Sequence, residues 1–142
     1  MTESISIYVC FEPERQAYAE RLDTWPRTNE DLDSYNRRFS VDVDSPEAEP
    51  IKVRLRAQIE QADVTVCVIA ASTCGDPWIA WELEVAKNGL VGVTLNEYDV
   101  HPPAMVDCGA IFVAFKRDLV ERAVRWALAE RHTSDDFTLK DF

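Results

Sequence analysis

Five short apolar runs alternate with stretches of helical periodicity along the chain: Ile5 to Phe11, Phe39 to Val43, Val64 to Ala71, Leu90 to Leu95 and Ala110 to Phe115. The first, third and fifth are nearly continuous in apolar residues, as strands covered on both faces are. In the second, Phe39, Val41 and Val43 alternate with Ser40 and Asp42, the pattern of a half-exposed edge strand. Strands alternating with helices predict an α/β fold of three layers around a five-stranded, mainly parallel sheet. With its second strand at the edge, the sheet takes the flavodoxin-like order 2-1-3-4-5.

The segments between these runs predict the helices. Pro13 suits a first helical turn, and Tyr18, Leu22 and Trp25 form a stripe that ends at Pro26. The linker Arg27 to Arg38 shows no periodicity. Pro46 or Pro50 starts a helix with the stripe Ile51, Leu55, Ile59 and Ala62. Asn96 to Cys108, with Pro102-Pro103, carries no clear helix. A last helix, Arg117 to Arg131, sets Leu119, Val120, Ala123, Val124, Ala127 and Leu128 on one side, and the tail from Thr133 to Phe142 is expected to fray.

The length of 142 residues fits a single domain, with a core from about 5 to 131 and a tail over 132–142. The apolar run Val66 to Ala71 is far below the ~20 residues that span a bilayer, and no basic residue precedes the first apolar run. No membrane partner and a cytoplasmic location are therefore expected. Four widely spaced cysteines suggest neither a zinc site nor a disulfide framework. With 15 basic and 26 acidic residues the net charge is -11, which argues against a nucleic-acid partner. Any anionic ligand needs a local cationic pocket. Only four glycines occur, and no Gly-x-Gly-x-x-Gly or Walker pattern follows a strand.

Candidate chemistry gathers after the third run. Doubly wound sheets bind ligands at a switch point outside the carboxyl ends of their strands, which falls here at Phe11, Ser72 and Thr73. Asp76 is a good N-cap and Pro77 a good first-turn residue for the helix that follows. At ~100° per residue, Trp78, Ile79, Trp81, Leu83, Val85 and Ala86 form an apolar arc with Glu82 inside it. Glu84 falls on the opposite side, near Lys87. A carboxylate in an apolar arc is costly unless it is paired or put to use. Trp78, one turn earlier, is placed to shelter it. On geometry alone, a functional carboxylate and a structural one, paired with an arginine or capping backbone groups, are equally open.

Tyr8-Val9-Cys10-Phe11, the run Val64 to Ala71 followed by Ser72-Thr73, and Trp78-x-x-x-Glu82 ahead of Leu90-Val91-Gly92-Val93 resemble a Toll/interleukin-1 receptor (TIR) domain. The likeness is to the TIR-like proteins of the bacterial Thoeris antiphage system, and it covers Ile5 to about Arg131. It implies that Glu82 is the catalytic residue for cleaving the nicotinamide glycosidic bond of NAD, with NAD as substrate and no metal or cofactor. One carboxylate suffices, because nicotinamide leaves as a neutral molecule and needs no general acid. Phe11, Ser72, Thr73 and Trp78 are then candidate substrate-binding residues, and Arg15, Arg37 and Arg38 are candidate cations for the pyrophosphate. The resemblance further implies a cyclic ADP-ribose isomer as second messenger, a separate effector that responds to it, and self-assembly. Two other classes share the fold: a non-catalytic TIR assembly module, and a nucleoside deoxyribosyltransferase-like enzyme.

Overall fold

The computed structural model describes residues 5–22, 24–29, 31–86, 89–96, 100–107 and 109–140, with the backbone alone for Phe39, Ala104 and 130–140. Four parallel strands form one sheet: β1 (Ile7–Cys10), β2 (Val64–Ile69), β3 (Gly89–Thr94) and β4 (Ile111–Ala114), in the order β1-β2-β3-β4. The register pairs Ile7 with Val64, Val64 with Gly89, and Val91 with Ile111. Every residue of β1 and β2 is buried, which is why both read as unbroken apolar runs.

The helices are α1 (Gln16–Glu20), α2 (Leu32–Asn36), α3 (Ala48–Gln61), α4 (Pro77–Val85), α5 (Pro103–Asp107) and α6 (Arg117–Lys140). Helix α6 packs across β2, β3 and β4, while α4 contacts both α3 and α5. Right-handed crossovers place α3, α4 and α5 on one face of the sheet and leave the other to α6. Helix α1 joins α6 on that second face through an edge-to-face contact of Tyr18 with Phe115, ring centroids 5.2 Å apart. Gly89 permits the close approach of α6, since a Cβ there would lie 2.7 Å from the Ala127 carbonyl oxygen. No helix among the described residues is long and apolar enough to cross a membrane.

The fold class stands, with one strand fewer than the pattern predicts. Phe39–Val43 is not a strand: Arg37–Ser40 form a 3-10 turn, and the chain turns again at Asp42. Local polar groups drive this. The Ser40 hydroxyl donates to the Arg37 carbonyl (2.8 Å), the Ser45 hydroxyl to the Asp42 carbonyl (2.6 Å), and the Asp42 carboxylate accepts from the Asp44 amide (2.9 Å). Such bonds compete with a sheet ladder.

The edge of β1 is also already taken. Ile7 forms a parallel bridge with Arg27, its amide donating to Pro26 and its carbonyl accepting from Thr28, each at 2.9 Å. The Asn29 side chain extends that pairing, accepting from the Val9 amide (3.2 Å) and donating to the Val9 carbonyl (2.8 Å). The aperiodic linker thus occupies the edge position expected of strand two. Two smaller differences concern helices. Residues 103–107 do form a short helix, and α6 continues to Lys140 instead of fraying from Thr133, because neither glycine nor proline interrupts Arg117 to Phe142.

Candidate functional site

Helix α4 starts as its sequence dictates. The Asp76 carboxylate accepts from the amides of Trp78 (2.9 Å) and Ile79 (3.1 Å), with Pro77 in the first turn. The resulting rotation buries Trp78, Ile79, Glu82 and Leu83 and leaves Glu84 exposed. Glu82 is 0 % exposed, beneath the carboxyl ends of β1 and β2.

Three side chains meet its carboxylate. Oε2 accepts from the phenol of Tyr8, on β1, and from that of Tyr35, on α2, the latter at 2.5 Å. Oε1 accepts from Arg38 Nη2 at 2.9 Å, an ion pair whose arginine is 1 % exposed. Arg38 is itself fixed on several sides. Nη1 donates to the Tyr35 carbonyl (3.0 Å), and Nη2 also reaches the Tyr35 hydroxyl (2.8 Å) and the Phe11 carbonyl (3.4 Å). Its guanidinium carbon stands 3.6 Å from the centroid of the Tyr35 ring.

The electrostatics follow from burial and from these neighbours. Burial disfavours a charged guanidinium, but the facing Glu82 carboxylate holds the Arg38 pKa above its ordinary value. Burial pushes the phenols of Tyr8 and Tyr35 well up, and the Glu82 charge pushes the same way. Both tyrosines therefore stay protonated and donate. Burial, then the Glu82 charge, likewise raises the thiols of Cys10 and Cys67.

The segment over Glu82 is the linker that reads as aperiodic. Asp31 caps α2 by accepting from the Ser34 amide (3.1 Å), which presents Tyr35 inward, and the following 3-10 turn presents Arg38. Trp78 secures the far end, donating from its indole to the Val41 carbonyl at 2.8 Å. Tyr35, Arg38 and Val41 thus all rest on α4.

The other sequence candidates divide into two groups. Phe11 is fully buried, its ring 4.8 Å from that of Tyr35, so it belongs to the wall of the Glu82 network. Ser72 and Thr73 instead serve a second carboxylate, that of Glu12. The Ser72 hydroxyl lies 2.9 and 3.0 Å from its two oxygens, and Thr73 Oγ1 donates to it at 2.8 Å. Arg15 follows in the 3-10 turn Pro13–Arg15 and shares no hydrogen bond with Glu82, and Arg37 is exposed. Sequence reading misses Tyr8 as a ligand of Glu82, Tyr35 and Glu12. An N-cap at Asp31 with Leu32 and Tyr35 three apart is a signal for α2, and hence for Tyr35. Tyr8 lies within an apolar run, and nothing in the pattern separates it from core.

A parallel α/β sheet with a buried glutamate one turn into the helix after β2 is the arrangement of a TIR-like domain. A family model described as Thoeris protein ThsB, TIR-like domain, matches residues 8–98, and the chain belongs to that family. The matched stretch contains Tyr8, Tyr35, Arg38 and Glu82 as well as Glu12, Ser72 and Thr73. No curated protein matches the chain.

Proposed function

We propose that this domain cleaves the N-glycosidic bond of NAD in antiphage defence, with Glu82 as the catalytic residue. The observation that supports this reading is the state of the Glu82 carboxylate. It is desolvated, held on one oxygen by two phenols and on the other by a single guanidinium. Tyr8 and Tyr35 fix Oε2, so Oε1 is the oxygen that turns to substrate once Arg38 gives way. Arg38 is then the cation at hand for the pyrophosphate. The C1′–N bond breaks, its electron pair leaves with neutral nicotinamide, and the carboxylate opposes the positive charge left on the ribose. Water captures that cation to give linear ADP-ribose and a proton. An atom of the same molecule captures it to give a ring, which is the product expected of a signalling enzyme. In this reading Phe11 walls the Glu82 network, Trp78 holds the segment over it, and Ser72, Thr73 and Arg15 stand at the rim beside Glu12.

Displacing Arg38 leaves Glu82 buried without its counter-charge, a cost of about 3–5 kcal/mol if nothing replaces the pair. The isolated domain is therefore a slow enzyme, and a trigger or self-assembly that shifts the 31–41 segment raises its rate. The test is mass spectrometry of phage-infected cells expressing the chain. A species of the mass of ADP-ribose minus water, absent with Glu82→Gln, is the expected result, and its absence with wild type contradicts the cyclase assignment.

A second reading has its own observation: both Glu82 oxygens are already bonded within the protein. On that basis the network is a structural lock and the domain an assembly module. Self-association with no NAD-derived product in vitro or in infected cells selects it.

A further inference from the structure

A pocket lies on the opposite face of the sheet from α4, between α1 and the start of α6. Its volume is about 330 Å³, and Arg21, Trp25, Phe115, Lys116, Arg117 and Glu121 are among its walls. None of the residues lining it takes part in the Glu82 network. Three features set it apart. It reverses the charge of the molecule: the chain has 26 acids to 15 bases, whereas among the described residues three cations and one acid line this pocket. Its floor is apolar and aromatic, made of the buried Leu22, Trp25 and Val120 with the half-buried Phe115 beside them, and a bare inorganic anion leaves it wet. And Phe115 to Arg117 join β4 to α6, so Lys116 and Arg117 stand together at one strand–helix junction, on the wall that faces Arg21.

We propose that this pocket binds a mononucleotide, with its phosphate among Arg21, Lys116 and Arg117 and its base against Trp25 and Phe115. The volume agrees, standing at the lower end of the roughly 300–1,000 Å³ of small-molecule sites. Guanidinium and ammonium groups supply charge-assisted bonds to phosphate oxygens, and aromatic walls supply area for a planar base. The site is independent of NAD cleavage and stands whether or not Glu82 is catalytic.

Arg21, Lys116 and Arg117 are exposed, so charge reversal at the last two leaves the core untouched. Calorimetric titration of the full chain with AMP, adenosine and inorganic phosphate tests the assignment. AMP is expected to bind at one site per chain, more tightly than either adenosine or phosphate. The double variant Lys116→Glu/Arg117→Glu should weaken it at least tenfold with an unchanged melting temperature, and amide shifts on AMP addition should centre on 115–121. Arg21→Gln, on the other wall, should weaken it in the same direction. Three results overturn the proposal: no saturable AMP binding up to millimolar concentration, binding unchanged in the double variant, or phosphate alone binding as tightly as AMP.

Discussion

Two carboxylates are buried near the carboxyl ends of β1 and β2, Glu82 on α4 and Glu12 just after β1, and their surroundings differ in kind. Glu82 faces a guanidinium and two phenols, all of them buried. Among the described residues Glu12 accepts side-chain hydrogen bonds from the hydroxyls of Ser72 and Thr73, and it keeps 7 % of its surface in contact with solvent. A carboxylate at the rim keeps part of its hydration, so neutral donors suffice. One with no solvent contact needs an opposite charge, because burying an isolated charge costs several kcal/mol. The buried ion pair therefore marks the depth at which the fold places Glu82. It also ties the 31–41 segment to α4, so the contact that neutralises Glu82 is the one that closes it off.

The sharpest way to break this contrast is to remove the cation. Arg38→Met should destabilise the fold by about 3–5 kcal/mol, because Glu82 is left buried without a counter-charge. Adding Glu82→Met should recover only part of that loss, since it removes the unpaired charge but leaves the buried Tyr8 and Tyr35 hydroxyls without their acceptor. Urea unfolding of the two variants checks both. If Arg38→Met costs under about 1 kcal/mol, the pair is not what holds the linker down.

Alkaline pH is the next largest lever. The folded state raises the pKa of Tyr8, Tyr35, Cys10 and Cys67 through burial and the Glu82 charge. A raised folded pKa contributes stability that is complete below the unfolded value and is lost as pH rises above it. Unfolded thiols ionise near about 8.5 and unfolded phenols near about 10. Stability should thus be level around pH 7, begin to fall above about 8.5 and fall faster above about 10. Each group contributes about 1.4 kcal/mol per pH unit past its unfolded pKa. Tyr35→Phe should remove one such share, and a melting temperature that rises between pH 9 and 11 would contradict the assignment.

Glu12 supplies the smaller effect. Glu12→Gln keeps one acceptor oxygen for the two hydroxyls and should cost about 1 kcal/mol. A loss as large as that of Arg38→Met would erase the distinction between the two carboxylates.

The sequence made the buried strands and α4 legible, because their patterns are enforced locally. Continuous apolar runs mark β1 and β2, and Asp76-Pro77 sets the rotation that sends Glu82 inward and Glu84 outward. What stayed hidden depends on contacts distant in sequence. Nothing local announces that Asn29 completes the edge of β1, or that Arg38 crosses 44 positions to meet Glu82. Alternation over Phe39–Val43 reads as a strand until Ser40, Asp42 and Ser45 claim the backbone for turns. The arginine partner was open from the apolar arc alone, but its identity came only with the fold of the linker.

Release of nicotinamide from NAD by the purified chain, compared across wild type, Glu82→Gln and Glu84→Gln, decides whether Glu82 is catalytic. Each protein is first shown to be folded at the assay temperature by circular dichroism. Slow release is expected from wild type, the same rate from Glu84→Gln, and none above the uncatalysed background from Glu82→Gln. Equal release by all three, or loss with Glu84→Gln as complete as with Glu82→Gln, would contradict a catalytic role for Glu82.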